Sequence, residues 1–332
     1  AEGNLKRMQQ KITDCFNDII REFEKEYGVD PMTINKVTAV GNTTMSHLLL
    51  AVDPQSLALA PFSPGFTGPV SVNAKDLNLT VNENAIVNVL PNIAGHVGSD
   101  IVAVLLSSGL REMTGANLVI DIGTNGEILL ACSESVLACS TAAGPAFEGA
   151  CIQQGMRAAT GAIEGVIIRQ GEVELSVIGD AKPVGICGSG LIDCVAELLK
   201  SGMINKKGKL LTEAEAKKAG LPDSLAKRLV VGENGNSFIL YSDRDGSCIF
   251  ITQKDIREVQ LAKGAILAGI RIMMQELKLE DKDIDNVFLA GAFGNYIKKE
   301  SALTIDLLPK ISSDRVISIG NAAGAGACMA LL

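Results

Sequence analysis

Two pairs of segments, far apart in the chain, follow the same order of apolar strand, glycine turn and helix. Residues 37–50 (VTAVGNTTMSHLLL) match residues 287–297 (VFLAGAFGNYI) in plan, and residues 87–106 match residues 316–332 in the same way. This duplicated order predicts an α/β protein of two related lobes. Single strand–glycine–helix steps are common, so chance similarity of two α/β halves is the alternative.

The two halves differ in how they begin. The first opens with an amphipathic helix at residues 4–27, whereas the second opens with three short strands joined by tight turns. We expect a first lobe at residues 1–114 and a second lobe at residues 115–332, with a peripheral insertion at about residues 205–250. The comparison also predicts that the first lobe is truncated and that its own strand–turn–strand precedes this chain in a longer parent.

Composition excludes several classes of protein. The 332 residues are 47% hydrophobic and carry a net charge of −8, with no basic run of the kind that binds a phosphate backbone. No apolar stretch approaches the roughly 20 residues of a membrane span. We therefore expect a soluble, cytoplasmic protein that binds neither nucleic acid nor membrane.

The eight cysteines and two histidines give no metal-binding pattern. The cysteines include no C-x-x-C pair and mostly lie in apolar or small-residue strings, which favours buried thiols over a disulfide framework or a cluster. His47 and His96 have no second ligand at metal spacing, so we expect structural roles for both.

The segment LVIDIGTNGE, residues 118–127, has the chemistry of a phosphate site. Its glycines allow a tight turn whose N–H groups point at phosphate oxygens. Asp121, at the strand end, can hold Mg²⁺ through water, and Glu127 across the hairpin is a second candidate carboxylate. The turn itself offers Gly123, Thr124, Asn125 and Gly126 as phosphate contacts. An ordinary hairpin turn is the alternative, because the same residues are good turn formers.

Two further glycine turns follow apolar strands and precede helices. Gly291, Ala292 and Gly294, in LAGAFGN, provide a backbone surface on which a base or pyrophosphate can lie. Gly188 and Ser189, in GICGSG, either face phosphate or only cap a helix. Neither turn is a G-x-G-x-x-G fingerprint, which disfavours a Rossmann dehydrogenase.

Three other residues are weaker candidates. Gly144 lies next to the hairpin sheet in AAGPAFEG, where Glu148 heads a predicted helix and has capping as its simplest role. Asp100 begins a helix after GHVGS. The small residues of that helix and of GNAAGAGA predict that the two helices approach closely, as a hinge between lobes requires.

The motifs D-I-G-T-N-G-E, A-G-A-F-G and G-N-A-A-G-A-G-A, with the duplicated lobes, resemble the sugar kinase, Hsp70 and actin superfamily. The blocks VGNTTMSHLLL, STAAGPAFEGA, GICGSGLID, ITQKDIREVQLAK and IGNAAGAGA look more narrowly like the ATPase part of the reductive activators of corrinoid proteins. The resemblance covers nearly the whole chain. It implies two RNase H-like lobes around a nucleotide cleft, with residues 121–127 as a phosphate motif and residues 289–295 as an adenosine motif.

The resemblance also implies a function. Such activators use ATP, with Mg²⁺, to drive reduction of cobalt(II) to cobalt(I) in a corrinoid protein, so Asp121 would organise the metal and Asp100 would orient water. The electron comes from an iron–sulfur domain, often [2Fe–2S], which we expect only in a missing N-terminal part.

The implied partner is a corrinoid iron–sulfur protein or the corrinoid subunit of a methyltransferase, and a homodimer is one assembly to test. Two alternatives stay open: a small-molecule kinase of the same fold, and a nucleotide-gated binding module without turnover. A radical activator of acyl-CoA dehydratases is disfavoured by the context of the cysteines.

Overall fold

The structure is a computed structural model that describes residues 2–232, 235–244, 246–294 and 296–332, without the side chains of Glu2, Ala292 and Phe293. The chain forms two compact units, one of Ala1–Met113 with Asn321–Leu332 and one of Thr114–Gly320. The C-terminal segment thus packs within the first unit. The lobe boundary at residue 114 stays a prediction.

The first unit contains a small mixed sheet and four helices. In chain order, its elements are α1 (Glu2–Tyr27), β1 (Lys36–Ala39), α2 (Thr43–Leu49), β2 (Val70–Asn73), β3 (Ile86–Val89), α3 (Ser99–Ser108) and a C-terminal helix (Ala322–Leu331). The strands lie in the order β1-β3-β2, with β1 parallel and β2 antiparallel to β3. The predicted strand–turn–helix units are present, and β2 is an additional edge strand.

One face of α1 covers the core of the first unit. Ile12, Phe16 and Ile20 recur at helical spacing and pack on a cluster that includes Val87 and Val89 of β3. The buried Asn17 fixes the helix, because its amide donates to the Asn78 carbonyl at 2.8 Å and its side-chain oxygen accepts the Thr80 N–H at 2.8 Å.

The small residues of the C-terminal helix allow it to lie close to α3. A Cβ atom added to Gly326 would stand 2.0 Å from the Ala103 carbonyl oxygen, so only glycine fits there. Ser107 of α3 also donates to the Ala322 carbonyl at 2.7 Å. The close approach predicted from the two small-residue segments is therefore present within the first unit.

His47 has the structural role expected from the sequence. The buried ring lies 2.7 Å from the Thr43 carbonyl through Nδ1, and Nε2 accepts the Gly65 N–H at 2.8 Å. This pair of contacts places the proton on Nδ1 and ties the loop before β2 to α2.

The second unit is larger, and its described residues form three sheets. Its elements in chain order are β4 (Ala116–Ile122), β5 (Gly126–Cys132), β6 (Ser135–Thr141), β7 (Ala162–Arg169), β8 (Glu172–Val177), β9 (Gly185–Ile186), α4 (Gly188–Lys200), α5 (Glu213–Lys218), α6 (Asp223–Ala226), β10 (Leu229–Gly232), β11 (Gly235–Ser242), β12 (Cys248–Thr252), α7 (Gln253–Glu276), β13 (Ile284–Ala290), α8 (Gly291–Gly294), α9 (Lys299–Thr304) and β14 (Val316–Gly320).

The central sheet of this unit has the order β14-β13-β4-β5-β6, and two three-stranded sheets accompany it, in the orders β8-β7-β9 and β10-β11-β12. Strands β14, β13 and β4 run parallel, whereas β4, β5 and β6 form the predicted antiparallel hairpins. Strand β4 is buried along most of its length, and Leu118, Val119 and Ile120 form an apolar run up to Asp121.

The segment at residues 205–250, expected to be a peripheral insertion, contains more secondary structure than the sequence indicated, and its peripheral position stays a prediction. It contains α5, α6 and most of a three-stranded sheet, and the side chains of Leu225, Phe238 and Ile249 belong to the main core cluster. Most of its charged residues lie on the outer faces of these elements. They dominate the composition of the segment, so the composition does not indicate the buried apolar residues.

The prediction of buried cysteines is correct for Cys187 and Cys194 and wrong for Cys15, Cys151 and Cys328, which are exposed. Cys15, for example, is on the outer side of α1. All eight thiols are free. Within the described ranges, no three His, Cys, Asp or Glu side chains gather as a metal-binding group. None of the described helices combines the length and apolar character that a membrane crossing requires.

Candidate functional site

The predicted phosphate hairpin is the turn between β4 and β5. Asp121 pairs with Glu127 and Ile122 with Gly126 across the two strands. The Gly123 N–H donates to the Asn125 carbonyl at 2.9 Å and closes the turn. A Cβ on Gly126 would meet Ile266 and Thr141 at 2.8 Å, so glycine lets the hairpin pack closely on α7 and β6. The turn therefore stands at a fixed position at the end of a buried strand.

The predicted adenosine motif lies directly beside this hairpin. Ala290, the last residue of β13, is paired with Asp121 in the parallel register of β13 and β4. Gly291 has a φ of +82°, and a Cβ there would stand 2.3 Å from the Asp121 carboxylate oxygen Oδ1. Glycine is thus required twice, for the backbone conformation and for the approach of the carboxylate.

A third glycine turn begins α4. Cys187 is the N-cap residue and makes no side-chain capping hydrogen bond, so the helix starts on Gly188 and Ser189 without a capping group. A Cβ on Gly190 would stand 2.1 Å from the Ile163 carbonyl oxygen, which shows how closely α4 packs on β7. The N-terminus of a helix of this length attracts negative charge.

These three turns border one cleft of about 820 Å³ in the second unit. Such a volume suits a ligand the size of a nucleotide. The cleft is lined by Asp121, Ile122, Gly123, Phe147, Glu148, Met156, Arg157, Ala158, Glu164, Ile178, Cys187, Gly188, Ser189, Gly291 and Tyr296. Five residues predicted from the sequence are therefore brought together, from segments up to 170 positions apart.

The predicted site residues that remain have separate places. Thr124 and Asn125 are in the hairpin turn, and Thr124 bonds to a residue of the cleft lining. Gly144 has a φ of +77° and precedes a short 3-10 turn, Pro145–Glu148. Gly294 is buried against Leu289 at the end of α8. The side chain of Ala292 and the whole of Asn295 lie outside the described residues.

Glu127 does not belong to the described lining of the cleft, although it is opposite Asp121. Its carboxylate accepts a hydrogen bond from Ser140 of β6 at 3.3 Å. Next to Ser140, burial together with the charge of Glu127 raises the pKa of the Cys139 thiol to about 11. In this structure Glu127 therefore interacts with Ser140 and Cys139 of β6. Its proposed role as a metal ligand stays a prediction.

Asp100 belongs to the first unit, in the first turn of α3. Its carboxylate accepts the Ile101 N–H at 2.8 Å. Burial raises its pKa above the ordinary value, against the opposing effect of this backbone hydrogen bond. Its proposed role in orienting water stays a prediction.

Several lining residues were missed from the sequence, and Glu148 was only a weak candidate there, with helix capping as its simplest role. Glu148 ends a 3-10 turn, where a predicted helix was expected to begin, and accepts a hydrogen bond from the Thr124 hydroxyl at 2.6 Å. Arg157 and Glu164 enter the cleft from a turn and from β7, and no local pattern marks them. Tyr296 directly follows the glycine-rich adenosine motif, so its position in the sequence could have indicated that it lines the cleft.

Comparison with known proteins identifies the fold of the chain. Residues 115–332 match the family described as the C-terminal domain of RACo, the ASKHA domain, and residues 1–113 match the RACo middle region. The mixed sheet with its glycine-lined cleft is thus an ASKHA fold, the class of the sugar kinases, Hsp70 and actin.

Individual relatives place the chain more narrowly within this fold class. The chain is 39% identical over 99% of its length to the corrinoid activation enzyme RamQ of Eubacterium limosum, and 30% identical over 72% to a Co(II) methylated amine-specific corrinoid protein reductase of Methanosarcina barkeri. A solved structure of a reductive activator for corrinoid, iron-sulfur protein superposes on 99% of the chain with a TM-score of 0.85 and 37% identity. The chain belongs to the RACo family and is homologous to reductive activators of corrinoid proteins.

The match does not extend over the whole of these relatives. The chain spans 55% of the Eubacterium protein, 43% of the Methanosarcina protein and 51% of the solved chain.

Proposed function

We propose that the cleft of the second unit binds Mg·ATP and that ATP binding and hydrolysis drive the reductive activation of a corrinoid protein, which restores its cobalt(I) state. The observation that carries the proposal is the convergence of three glycine turns on one cleft beside a carboxylate at a strand end. Backbone amides at such turns bind phosphate oxygens without a bulky side chain in the way.

Each part of the cleft has a role in this proposal. Asp121 would hold Mg²⁺ through its hydration shell, and the metal would neutralise charge on the phosphates. The turn at residues 123–126, with Thr124 and Asn125, and the amides of Gly188 and Ser189 would bind phosphate oxygens. Gly291, Ala292 and Gly294 would hold the adenosine. The residues present fit this ligand, because the glycine turns and the Asp121 carboxylate line one cleft of about 820 Å³.

The remaining partners follow from the relatives. One is named for a corrinoid, iron-sulfur protein and another for a methylated amine-specific corrinoid protein. We propose a corrinoid protein of this kind, in methyl-transfer metabolism, as the target. We further propose that the electron comes from a [2Fe–2S] domain outside these residues and that the protein acts in the cytoplasm. The homodimer stays a prediction, which sedimentation of the chain can test.

The first test is binding of Mg·ATP to the 332-residue chain by calorimetry and thermal shift. At a nucleotide concentration 100-fold above the dissociation constant, binding adds about 2.7 kcal/mol to the free energy of unfolding, which raises the melting temperature of a unit of this size by about 5–10 °C. Asp121→Asn should lose most of this shift. Glu174→Gln, an exposed carboxylate on β8, should keep it.

Three outcomes would count against the proposal. No shift in the wild-type chain would exclude nucleotide binding, and an equal shift in Asp121→Asn would remove this residue from the metal site. In a second experiment, phosphate release is measured with and without a cobalt(II) corrinoid protein, which should stimulate it. Phosphorylation of a sugar or an acid, without such stimulation, would indicate a small-molecule kinase.

A further inference from the structure

The Thr124–Glu148 contact joins the phosphate hairpin to a second carboxylate of the cleft. The Thr124 hydroxyl donates to Glu148 Oε1 at 2.6 Å. Glu148 lines the cleft together with Asp121 and is itself exposed, so a small molecule in the cleft can reach it. The pair therefore links two loops that are 24 residues apart in the chain.

The turn that carries Glu148 is held firmly. Gly144 and Gly149, on either side of it, have φ values of +77° and +81°. A Cβ on Gly149 would stand 2.6 Å from the Met156 carbonyl oxygen, and the neighbouring Phe147 is buried in the core. A carboxylate on a turn fixed by core packing keeps its position when a ligand enters, as groups that act on a reacting atom must.

Electrostatics restricts what Glu148 can do next to a phosphate. A carboxylate and a phosphate oxygen repel each other, so they come into contact only through a proton, a metal ion or water. In the structure the Thr124 hydroxyl donates a hydrogen bond to Glu148. The same hydroxyl belongs to the turn that is proposed to bind phosphate. When a phosphate oxygen accepts the Thr124 hydroxyl, Glu148 loses that donor and is left to accept a hydrogen bond from a water molecule.

We propose that Glu148 is the catalytic carboxylate that orients and deprotonates the attacking water, an inference that rests on the proposed ATP site. The water oxygen bonds to the γ-phosphorus while the bond from that phosphorus to the β,γ-bridging oxygen breaks. The electron pair of the broken bond stays with ADP. The proton of the water passes to Glu148 and from there to solvent, so ATP and water give ADP, phosphate and a proton.

The substitution Glu148→Gln tests this role because the amide oxygen can still accept the Thr124 hydroxyl. We expect kcat for ATP hydrolysis to fall about 100-fold while KM for ATP changes by less than about threefold, as for a group that acts mainly in the transition state.

A second variant separates catalysis from structure. Glu148→Ala opens the space of an exposed side chain, so added formate should restore part of its turnover. Glu164→Ala removes another carboxylate from the same cleft, and its rate should not respond to formate. Circular dichroism and thermal melting establish that each variant is folded.

The outcomes are distinguishable from failure of the proposed function. If the wild-type chain does not bind Mg·ATP, the proposed site itself is wrong. Glu148 is not the catalytic carboxylate if the wild-type chain binds Mg·ATP without turnover or if Glu148→Gln keeps the wild-type kcat. The same conclusion follows if formate does not raise the turnover of folded Glu148→Ala. Recovery of Glu148→Gln at high Mg²⁺ concentration would also overturn the proposal, since it would make Glu148 part of the metal site.

Discussion

The ion pair between Asp193 and Lys298 predicts an unequal response to removal of its two members. Asp193 of α4 is 2% exposed and accepts hydrogen bonds from the Lys298 Nζ atom at 2.5 Å, the Ser301 hydroxyl at 2.7 Å and the Val166 N–H at 3.4 Å. The Lys298 side chain is 47% exposed. The carboxylate thus depends on protein partners, whereas the ammonium group can turn to water.

Removal of one partner from a fully buried pair costs about 3–5 kcal/mol, chiefly because a buried charge is left without compensation. Lys298→Met leaves Asp193 buried with only neutral donors. Since water already reaches Lys298, we reduce the expected loss of unfolding free energy to about 2 kcal/mol. Asp193→Asn leaves a lysine that can extend into solvent and should cost about 1 kcal/mol. The double variant should be more stable than Lys298→Met alone.

Chemical denaturation of the three variants at pH 7 measures these differences as a double-mutant cycle. Because the chain has two compact units, hydrogen exchange of α4 and β7 peptides should be followed as well, so that the loss is assigned to the second unit. A larger loss for Asp193→Asn than for Lys298→Met, or a double variant less stable than both, would refute the reasoning.

Two further predictions concern Gly291 and Asp100. Gly291→Ala should lower the free energy of unfolding by about 1–2 kcal/mol from its positive φ alone. It should also abolish the Mg·ATP thermal shift, because the new Cβ displaces the Asp121 carboxylate. Gly264→Ala, in open space on α7, is the control and should be neutral or stabilising. Burial raises the pKa of Asp100 above 3.8, so the unfolded chain ionises first and the free energy of unfolding falls as the pH rises through that window. Asp100→Asn should therefore be more stable than the wild type at pH 7, and denaturation below pH 3.8 should show no such gain.

Much of the fold was predictable because the informative patterns are local. The hairpin strands β4, β5 and β6 are runs of apolar residues separated by turn formers, and the glycine turns at Gly188 and Gly291 each follow a strand and begin a helix. Edge strand β2 was missed because its alternation of apolar and polar residues extends over only four positions, directly after a Pro-rich loop. The three-stranded sheet at β10–β12 was missed because charged outer faces dominate the composition of its segment.

The candidate site was predictable only in part. Glycines and the strand-end Asp121 are marked by turn chemistry, which one sequence shows directly. The roles of Glu148, Arg157 and Glu164 depend on which loops meet at the cleft, and that follows from the packing of β7 and α4 rather than from neighbouring residues. A carboxylate in a glycine-rich loop looks the same from the sequence whether it caps a helix or faces a ligand.

The C-terminal helix has a consequence for how the first unit acquires its structure. Its Gly326 lies against Ala103 of α3, across more than 200 residues of intervening chain. Contacts so distant in sequence form late, since a long loop must close first. During synthesis, α3 therefore leaves the ribosome well before its packing partner exists, and the whole second unit can fold in the meantime. Of these two units, the one that is translated earlier is completed later, and until then its apolar α3 face is available to chaperones.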